Sequence, residues 1–285
     1  MVERAGFEPA KEFPLYTLSK RAPSTTRPPL HQILAFETIN ISIVYSNTHN
    51  IMLKKIFNYY GYSFNKIKKS NTIIDIIKFR LKHNKCTTLL DIGANKGDFT
   101  GDLLDCFKKK ILIEPNPNLI NNLKDRFSNI KNLEISNCAI DIKNSVKKFY
   151  ITNDTGATLS SSKKQTNTLK KNLKKTNIIS TKKIQFYRLD FFLKNRLNSN
   201  DSIFLKTDTQ GNDYEVLKSL GNKLKFIKYI KIEMSIIPMY SNQDHHWKIL
   251  DFMKKNNFEP VFYENGLRNN FGRMIEYDCL FEKKN

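Results

Sequence analysis

The amino-acid sequence predicts an α/β fold: a mostly parallel sheet with helices on both faces. Three observations point there. From residue 87 onward, short apolar runs of strand length alternate with segments of helical period, the pattern left by strand–helix–strand crossovers. A glycine-bearing turn, Asp91-Ile92-Gly93-Ala94-Asn95-Lys96-Gly97, follows the first of those runs. Acidic residues recur where runs end, at Asp91, Glu114, Asp141, Asp208 and Glu233, and such sheets gather their ligands at the carboxyl ends of their strands.

The chain begins differently from the way it continues. Five of its nine prolines fall at 9, 14, 23, 28 and 29, and arginine outnumbers lysine there. Residues 1–51 therefore read as a disordered or spurious extension without chemistry, with Met52 a natural start. Residues 52–86 read as a helical appendage, in which Ile73, Ile74, Ile76, Ile77, Phe79 and Leu81 suit a helix packed on a sheet edge. Thr87 to Ile92 is the first strand of the main domain, 87–285, and Asp98 to Lys109 the helix after it. Ile111 to Ile113 is a short buried strand. Asn116-Pro117 supplies a helix N-cap followed by proline at the first helical position, opening a helix to about Phe127. Leu133 to Ile140 is a third strand. Phe149 to Ile151 and Ile184 to Leu189 are further strands, flanking a polar insertion that carries eight lysines and no acid between Lys163 and Lys183. Ser202 to Lys206 is a strand, Asp213 to Leu220 a helix closed by Gly221, and Tyr229 to Met234 the next strand. An amphipathic helix covers Asp244 to Lys255, with His245 and His246 expected outside and Trp247 inside. Glu259 to Tyr263 and Ile275 to Phe281 end the chain as a strand pair.

The formal net charge of +21 invites nucleic acid, an anionic membrane surface or a phosphorylated substrate. Nine arginines leave 39 of the 48 basic residues as lysine, whereas dedicated phosphate and base readers favour the arginine fork. Compositional drift toward Lys, Asn and Ile thus ranks ahead of nucleic-acid binding, and no stable nucleic-acid complex is expected. Cys86, Cys106, Cys138 and Cys279 are scattered, with no metal-binding spacing. Reduced, buried thiols are the expectation, and with them a cytoplasmic protein that holds no metal. No run reaches the roughly 18 apolar residues that a membrane span needs.

The turn at Asp91 to Gly97 has glycine where the backbone must bend and let a ligand approach closely, and the next helix offers unpaired N–H groups to an anion. Alone this is weak, since it is not the G-x-G-x-x-G pattern. Glu114 strengthens it: 23 residues after Asp91 and at the end of the next strand, it can take the hydroxyls of a ribose. The competing reading is a solvated carboxylate before a helix N-terminus. Lys206 and Asp208 share one face of their strand by the two-residue period and can pair, as catalytic groups or as a structural ion pair; Glu233 ends the next strand.

These residues resemble the FkbM-type methyltransferases, a branch of the class I S-adenosylmethionine-dependent enzymes. The resemblance runs from about residue 87 to the C-terminus. It rests on Asp91-Ile-Gly-Ala-Asn-Lys-Gly97, Ile113-Glu114-Pro115-Asn116, Leu205-Lys206-Thr207-Asp208-Thr209-Gln210-Gly211 with Glu215-Val-Leu-Lys218, and Ile232-Glu233-Met-Ser235 with Tyr240. One position departs: the family's usual Glu two residues after the Gln-Gly pair is Asp213 here. The resemblance implies a Rossmann-like fold whose seven-stranded sheet ends in an antiparallel hairpin. It implies S-adenosyl-L-methionine as cofactor, and O-methylation of a sugar, glycan or related hydroxyl. It places Asp91, Gly93, Asn95 and Gly97 around the methionine part of the cofactor and Glu114 at the ribose. Ala139 and Asp141 would approach the adenine. Asp208, Lys206 and Glu233 are then the catalytic candidates. The basic insertion suggests an acceptor that carries phosphate. An RNA methyltransferase and a non-catalytic module retaining the fold are the alternatives.

Overall fold

The structure, a computed structural model, describes residues 72–154, 158–172 and 177–284, together with backbone strands at 16–20, 40–41 and 62–66. The chain divides into two units, Met1–Asn71 and Thr72–Asn285. In the first, β1 (Tyr16–Lys20) pairs antiparallel with both β2 (Asn40–Ile41) and β3 (Tyr62–Lys66). Strand, where helix or disorder was expected, thus occupies these three segments. Apart from residues 72–86, the remainder of the expected extension and appendage lies outside the described residues.

The second unit starts earlier than the sequence suggested. Helix α1 (Ile73–His83) is capped by Thr72, whose side chain accepts from the Asp75 amide. It buries Ile73, Ile77 and Leu81 against Leu89, Phe204, Tyr229 and Leu280, and so packs as part of the main domain. Seven strands form the central sheet: β4 (Thr88–Ile92), β5 (Lys109–Ile113), β6 (Leu133–Ser136), β10 (Ile203–Thr207), β11 (Ile227–Ser235), β12 (Phe258–Asn265) and β13 (Glu276–Lys283). Their order is β12-β13-β11-β10-β4-β5-β6, parallel from β6 through β11 and antiparallel at β13 and β12. This is the Rossmann-like sheet with a C-terminal hairpin that the sequence predicts. β4 and β10 are buried on both faces. Leu90, Leu205 and Ile230 face Val216, Leu217 and Met253, while Leu89 and Phe204 face α1, as expected of an interior parallel strand.

Several boundaries differ from the sequence reading, each for a local reason. The helix at Asp98 ends at Asp102 and gives way to a 3-10 turn at Leu104–Cys106, because Lys109 already begins β5. The run from Leu133 to Ile140 is two strands: β6 belongs to the main sheet, and β7 (Ala139–Ile140) joins β8 (Ser145–Thr152) and β9 (Ile178–Tyr187) in a separate three-stranded sheet. Gly221, at φ +47°, follows the C-cap Leu220 and closes helix α6 (Asp213–Ser219) as the sequence suggests, but a 3-10 segment to Phe226 continues from it. In helix α7 (His246–Lys255), His246 is buried and Trp247 is 67% exposed, the reverse of the expectation. His246 packs edge-on against both Trp247 and Tyr277.

Candidate active site

Parallel strands place their carboxyl ends along one edge, and the loops leaving β4, β5, β10 and β11 converge there. They line a cavity of about 410 Å³ with the small sheet, the segment Thr158–Ser162 and the start of β13. The cavity is of the size that holds a cofactor and part of a second substrate.

The turn after β4 is built on left-handed backbone. Gly93 has φ +76°, and a Cβ there would lie 2.0 Å from the carbonyl oxygen of Asp208, so only glycine lets the two loops touch. Gly97, at φ +82°, starts the short helix Asp98–Asp102, and a Cβ would strike Phe127 and Leu123. Its role is packing, and it lies off the cavity. Asn95 also takes φ +50°, turning its amide toward Glu114. Glu114 accepts from the Asn95 amide (2.7 Å) and the Asn116 amide (2.7 Å), and it lines the cavity while only 5% exposed. Burial pushes its carboxyl up to about 7, against the pull of those two amides and of Lys206.

Asp91 is fully buried behind the cavity. It accepts from the Thr100 hydroxyl (2.7 Å) and lies 3.2 Å from the Lys206 ammonium. Register explains this pairing, because Asp91, Lys206 and Lys231 stand side by side across β4, β10 and β11. Lys206 donates to the Gly93 carbonyl (2.6 Å) and reaches Asp208 at 3.8 Å. It therefore ties the cofactor turn to the loop after β10. Burial works against its charge, but Asp91 and Asp208 more than offset that and raise its pKa. Lys231 pairs with Asp278 at 2.5 Å.

Asp208 and Glu233 come together as the sequence suggested, through a residue whose role it understated. The Gln210 amide donates to Asp208 (2.9 Å) and to Glu233 (3.0 Å), while its carbonyl accepts from the Tyr240 hydroxyl (2.7 Å). Tyr240 fixes which way the amide points, so the nitrogen faces both carboxylates. Burial works to raise the Asp208 carboxyl, but Lys206, Lys231 and Gln210 hold it below its ordinary value. Glu233 goes the other way, raised well above by burial and by the charges of Asp208, Glu276 and Asp278. Asp213 binds the Thr207 hydroxyl (2.7 Å) and the Thr209 amide (3.0 Å), holding the loop's shape.

Ala139 lines the cavity beside Ile140, Phe149 and Phe186, an apolar wall suited to a flat base. Asp141 does not: it accepts from the Ile142 amide (2.6 Å) and pairs with Lys147 at the rim of the small sheet. Of the expected cofactor residues, Gly93, Asn95, Glu114 and Ala139 face the cavity, whereas Asp91, Gly97 and Asp141 brace it from behind. Sequence reasoning missed Phe149, Phe186, Leu159 and Glu276 as lining residues. They come from β8, β9, the segment after β8 and the terminal hairpin, where no motif marked them. Among the described residues no cluster could hold a metal ion, and no helix is long and apolar enough to cross a membrane. Cys86, Cys138 and Cys279 are buried with thiols pushed up by burial.

The donor set fits S-adenosylmethionine. A half-polar turn stands at one end, the buried Glu114 carboxylate lies beside it, and an apolar wall of Ala139, Ile140, Phe149 and Phe186 follows. The family model of the methyltransferase FkbM domain matches residues 91–260. The ribosomal RNA small subunit methyltransferases A of Mycoplasma capricolum and Mycoplasma mycoides are 24% and 25% identical over 226 and 231 residues. Each match covers 76% of this chain and 83% of the relative. Among solved structures, the methyltransferase FkbM of Methylobacillus flagellatus superposes with a TM-score of 0.40 at 14% identity, over 69% of this chain and 43% of that one. An rRNA methylase of Streptococcus thermophilus superposes at 0.43 with 11% identity, over 77% of this chain and 100% of that one. The domain match spans the cofactor turn, Glu114 and the Asp208–Gln210–Glu233 group alike, and the chain belongs to the FkbM methyltransferase family, as an S-adenosylmethionine-dependent methyltransferase.

Proposed function

We propose that this enzyme transfers a methyl group to a hydroxyl of a sugar, glycan or related metabolite. One observation carries the reading. The cavity has a ribose-type carboxylate, Glu114, at one end and the Gln210-bridged carboxylates Asp208 and Glu233 at the other. S-adenosylmethionine supplies an electrophilic methyl group when bound. Methylating a hydroxyl requires that the oxygen be aligned and that its proton have a destination, and carboxylates serve both needs. Asp208, kept ionised by Lys206 and Lys231, orients the acceptor and favours positive charge at the reacting centre. Glu114, Gly93, Asn95 and Ala139 hold the cofactor. The loop after β10 reads Asp208-Thr-Gln-Gly211 and lacks the Asn/Asp-Pro-Pro-aromatic pattern of base-amine methylators. Lys164 and Lys170, on the insertion, suit a phosphate on the acceptor, whereas Lys163 is committed elsewhere.

RNA as acceptor is the second reading, favoured by the net charge of +21 and by the Mycoplasma relatives. Methyl-labelled S-adenosylmethionine, offered with extracted glycans and nucleotide sugars in one arm and total RNA in the other, separates the two. Label is expected in the carbohydrate arm. Label confined to RNA would replace the first reading with the second. Calorimetry with S-adenosylhomocysteine is expected to show binding, and its absence would leave a module that kept only the fold.

A further inference from the structure

We infer that Glu276, on the terminal hairpin, is the group that takes the acceptor's proton. The inference rests on the hydroxyl reading above. Glu276 lines the cavity with Asp208 and Glu233, and its Oε2 is buried with no hydrogen-bond partner. The other two carboxylates are already engaged: both accept from the Gln210 amide, and Asp208 also faces the Lys206 ammonium. A buried acceptor oxygen without a donor costs free energy unless something supplies one, and an acceptor hydroxyl does so. Position agrees. Glu276 sits opposite Ser235 at the carboxyl end of β11, two pairs beyond the Glu233–Asp278 pairing and so on the same face, and β13 lies on the side of β11 away from β4. Glu276 also lies outside residues 91–260, the span of the family match.

The step balances. The acceptor oxygen forms a bond to the methyl carbon as the carbon–sulfur bond breaks and its electron pair stays on sulfur. The hydroxyl proton passes to Oε2, giving a neutral Glu276, a methyl ether and a thioether. The proton later leaves to water through the cavity mouth. The groups facing Glu276 come from several elements: Asp208 after β10, Lys231 and Glu233 on β11, Asp213 on α6, Tyr240 beyond β11, and Asp278 on its own strand. Burial and the charges of Asp208, Asp278 and Asp213 push its carboxyl up to about 7, with Lys231 pulling the other way. A base poised near the working pH transfers protons best, whereas Lys206 and Lys231 hold the Asp208 carboxyl down, and Asp208 and Glu233 both already accept from Gln210.

Two measurements test this on the full chain. The first is a ¹³C-carboxyl titration of glutamate-labelled protein with S-adenosylhomocysteine bound, wild type against Glu276→Gln. The resonance lost in the variant is expected to titrate near neutrality; a midpoint in the ordinary carboxylate range would overturn the assignment. The second is the pH dependence of label transfer into the glycan and RNA pools. Wild-type turnover is expected to rise through about pH 7, and Glu276→Gln to lose about 10²- to 10⁴-fold in kcat together with that rising limb. Its S-adenosylhomocysteine affinity should be unchanged and its melting temperature should not fall, since the substitution removes one of several like charges. Wild-type turnover in Glu276→Gln, or an unaltered pH limb, would refute the role. Transfer to RNA alone would defeat the hydroxyl-sugar reading, while Glu276 would still be judged by its titration and by its variant on RNA.

Discussion

Lys206 is the residue on which the two halves of the site depend. Its ammonium faces Asp91 and Asp208 and binds the Gly93 carbonyl, so losing either acid has a different result. Asp91→Ala leaves a buried ammonium with half its compensation, and is expected to destabilise the fold by about 3–5 kcal/mol. Denaturant unfolding measures this. Asp208→Ala, half-buried and still leaving Asp91 in place, is expected to unfold normally and to bind S-adenosylhomocysteine, while losing turnover by about 100-fold or more. A folding defect in the second, or none in the first, would contradict this division of roles. The sequence made both acids visible but not the difference between them. Strand register decides it: Asp91 is the fourth residue of β4 and stays inside the sheet, whereas Asp208 follows β10 and reaches the cavity. Gln210 was legible only as part of a motif. Its function depends on Tyr240, thirty residues away, which no local pattern reveals.

At the level of elements, the cavity wall is stitched to the sheet by the start of the insertion. Lys163 donates to the Gly211 carbonyl, to Glu215 and to the Asn242 carbonyl, and Ser161 donates to the Gln210 carbonyl. Backbone bonds from Thr166 to Met239 and from Ser241 to Lys164 continue the seam. Lys163→Met removes three of these bonds. Amide exchange over 158–166 is expected to quicken and acceptor KM to rise, with little change in S-adenosylhomocysteine affinity. Unaltered exchange would show that the remaining seam suffices. From sequence alone Lys163 was one of eight solvated lysines; the structure spends it inward. Helix and strand identities in the main sheet were legible because their apolar runs are short, β-rich and separated by turn signals. In the small sheet only the cores of β8 and β9 were legible, at Phe149 to Ile151 and from Ile184; their full lengths and pairing were not, since both are largely exposed and carry lysine on both faces. The inversion at His246 and Trp247 has a similar origin: adjacent residues on a helix differ by about 100°, and one step of phase exchanges inside for outside.

Across the whole molecule, a basic chain encloses an acidic reaction chamber. Burial raises Glu114 and Glu276 from an ordinary 4.5 to about 7. Between those values the folded chain keeps protons that the unfolded chain has already lost, so these two groups make stability fall as pH rises through that window. Unfolding of cofactor-free protein at about pH 5 and about pH 8 measures the slope. Glu114→Gln is expected to flatten it, and an unchanged slope would mean that Glu114 titrates normally. The fold class was legible from the alternation of elements and the terminal hairpin from the family resemblance, whereas the order of the strands was not. The cofactor end of the chamber was legible from two motifs. The opposite end was legible only in Asp208 and Glu233, because its other walls come from the strands flanking the insertion and from Glu276, beyond the last motif residues at Ile232 to Ser235 and Tyr240. That distribution has a practical consequence. The small sheet meets the main body through the seam at residues 160–166 and the short strand Ala139–Ile140, and neither belongs to the turn at Gly93 or to Glu114. Grafting residues 158–172 from a homologue, which leaves Phe149 and Phe186 in place, is therefore a route to retargeting the enzyme without touching its proposed cofactor residues, and the same modularity gives natural variants a place to diverge.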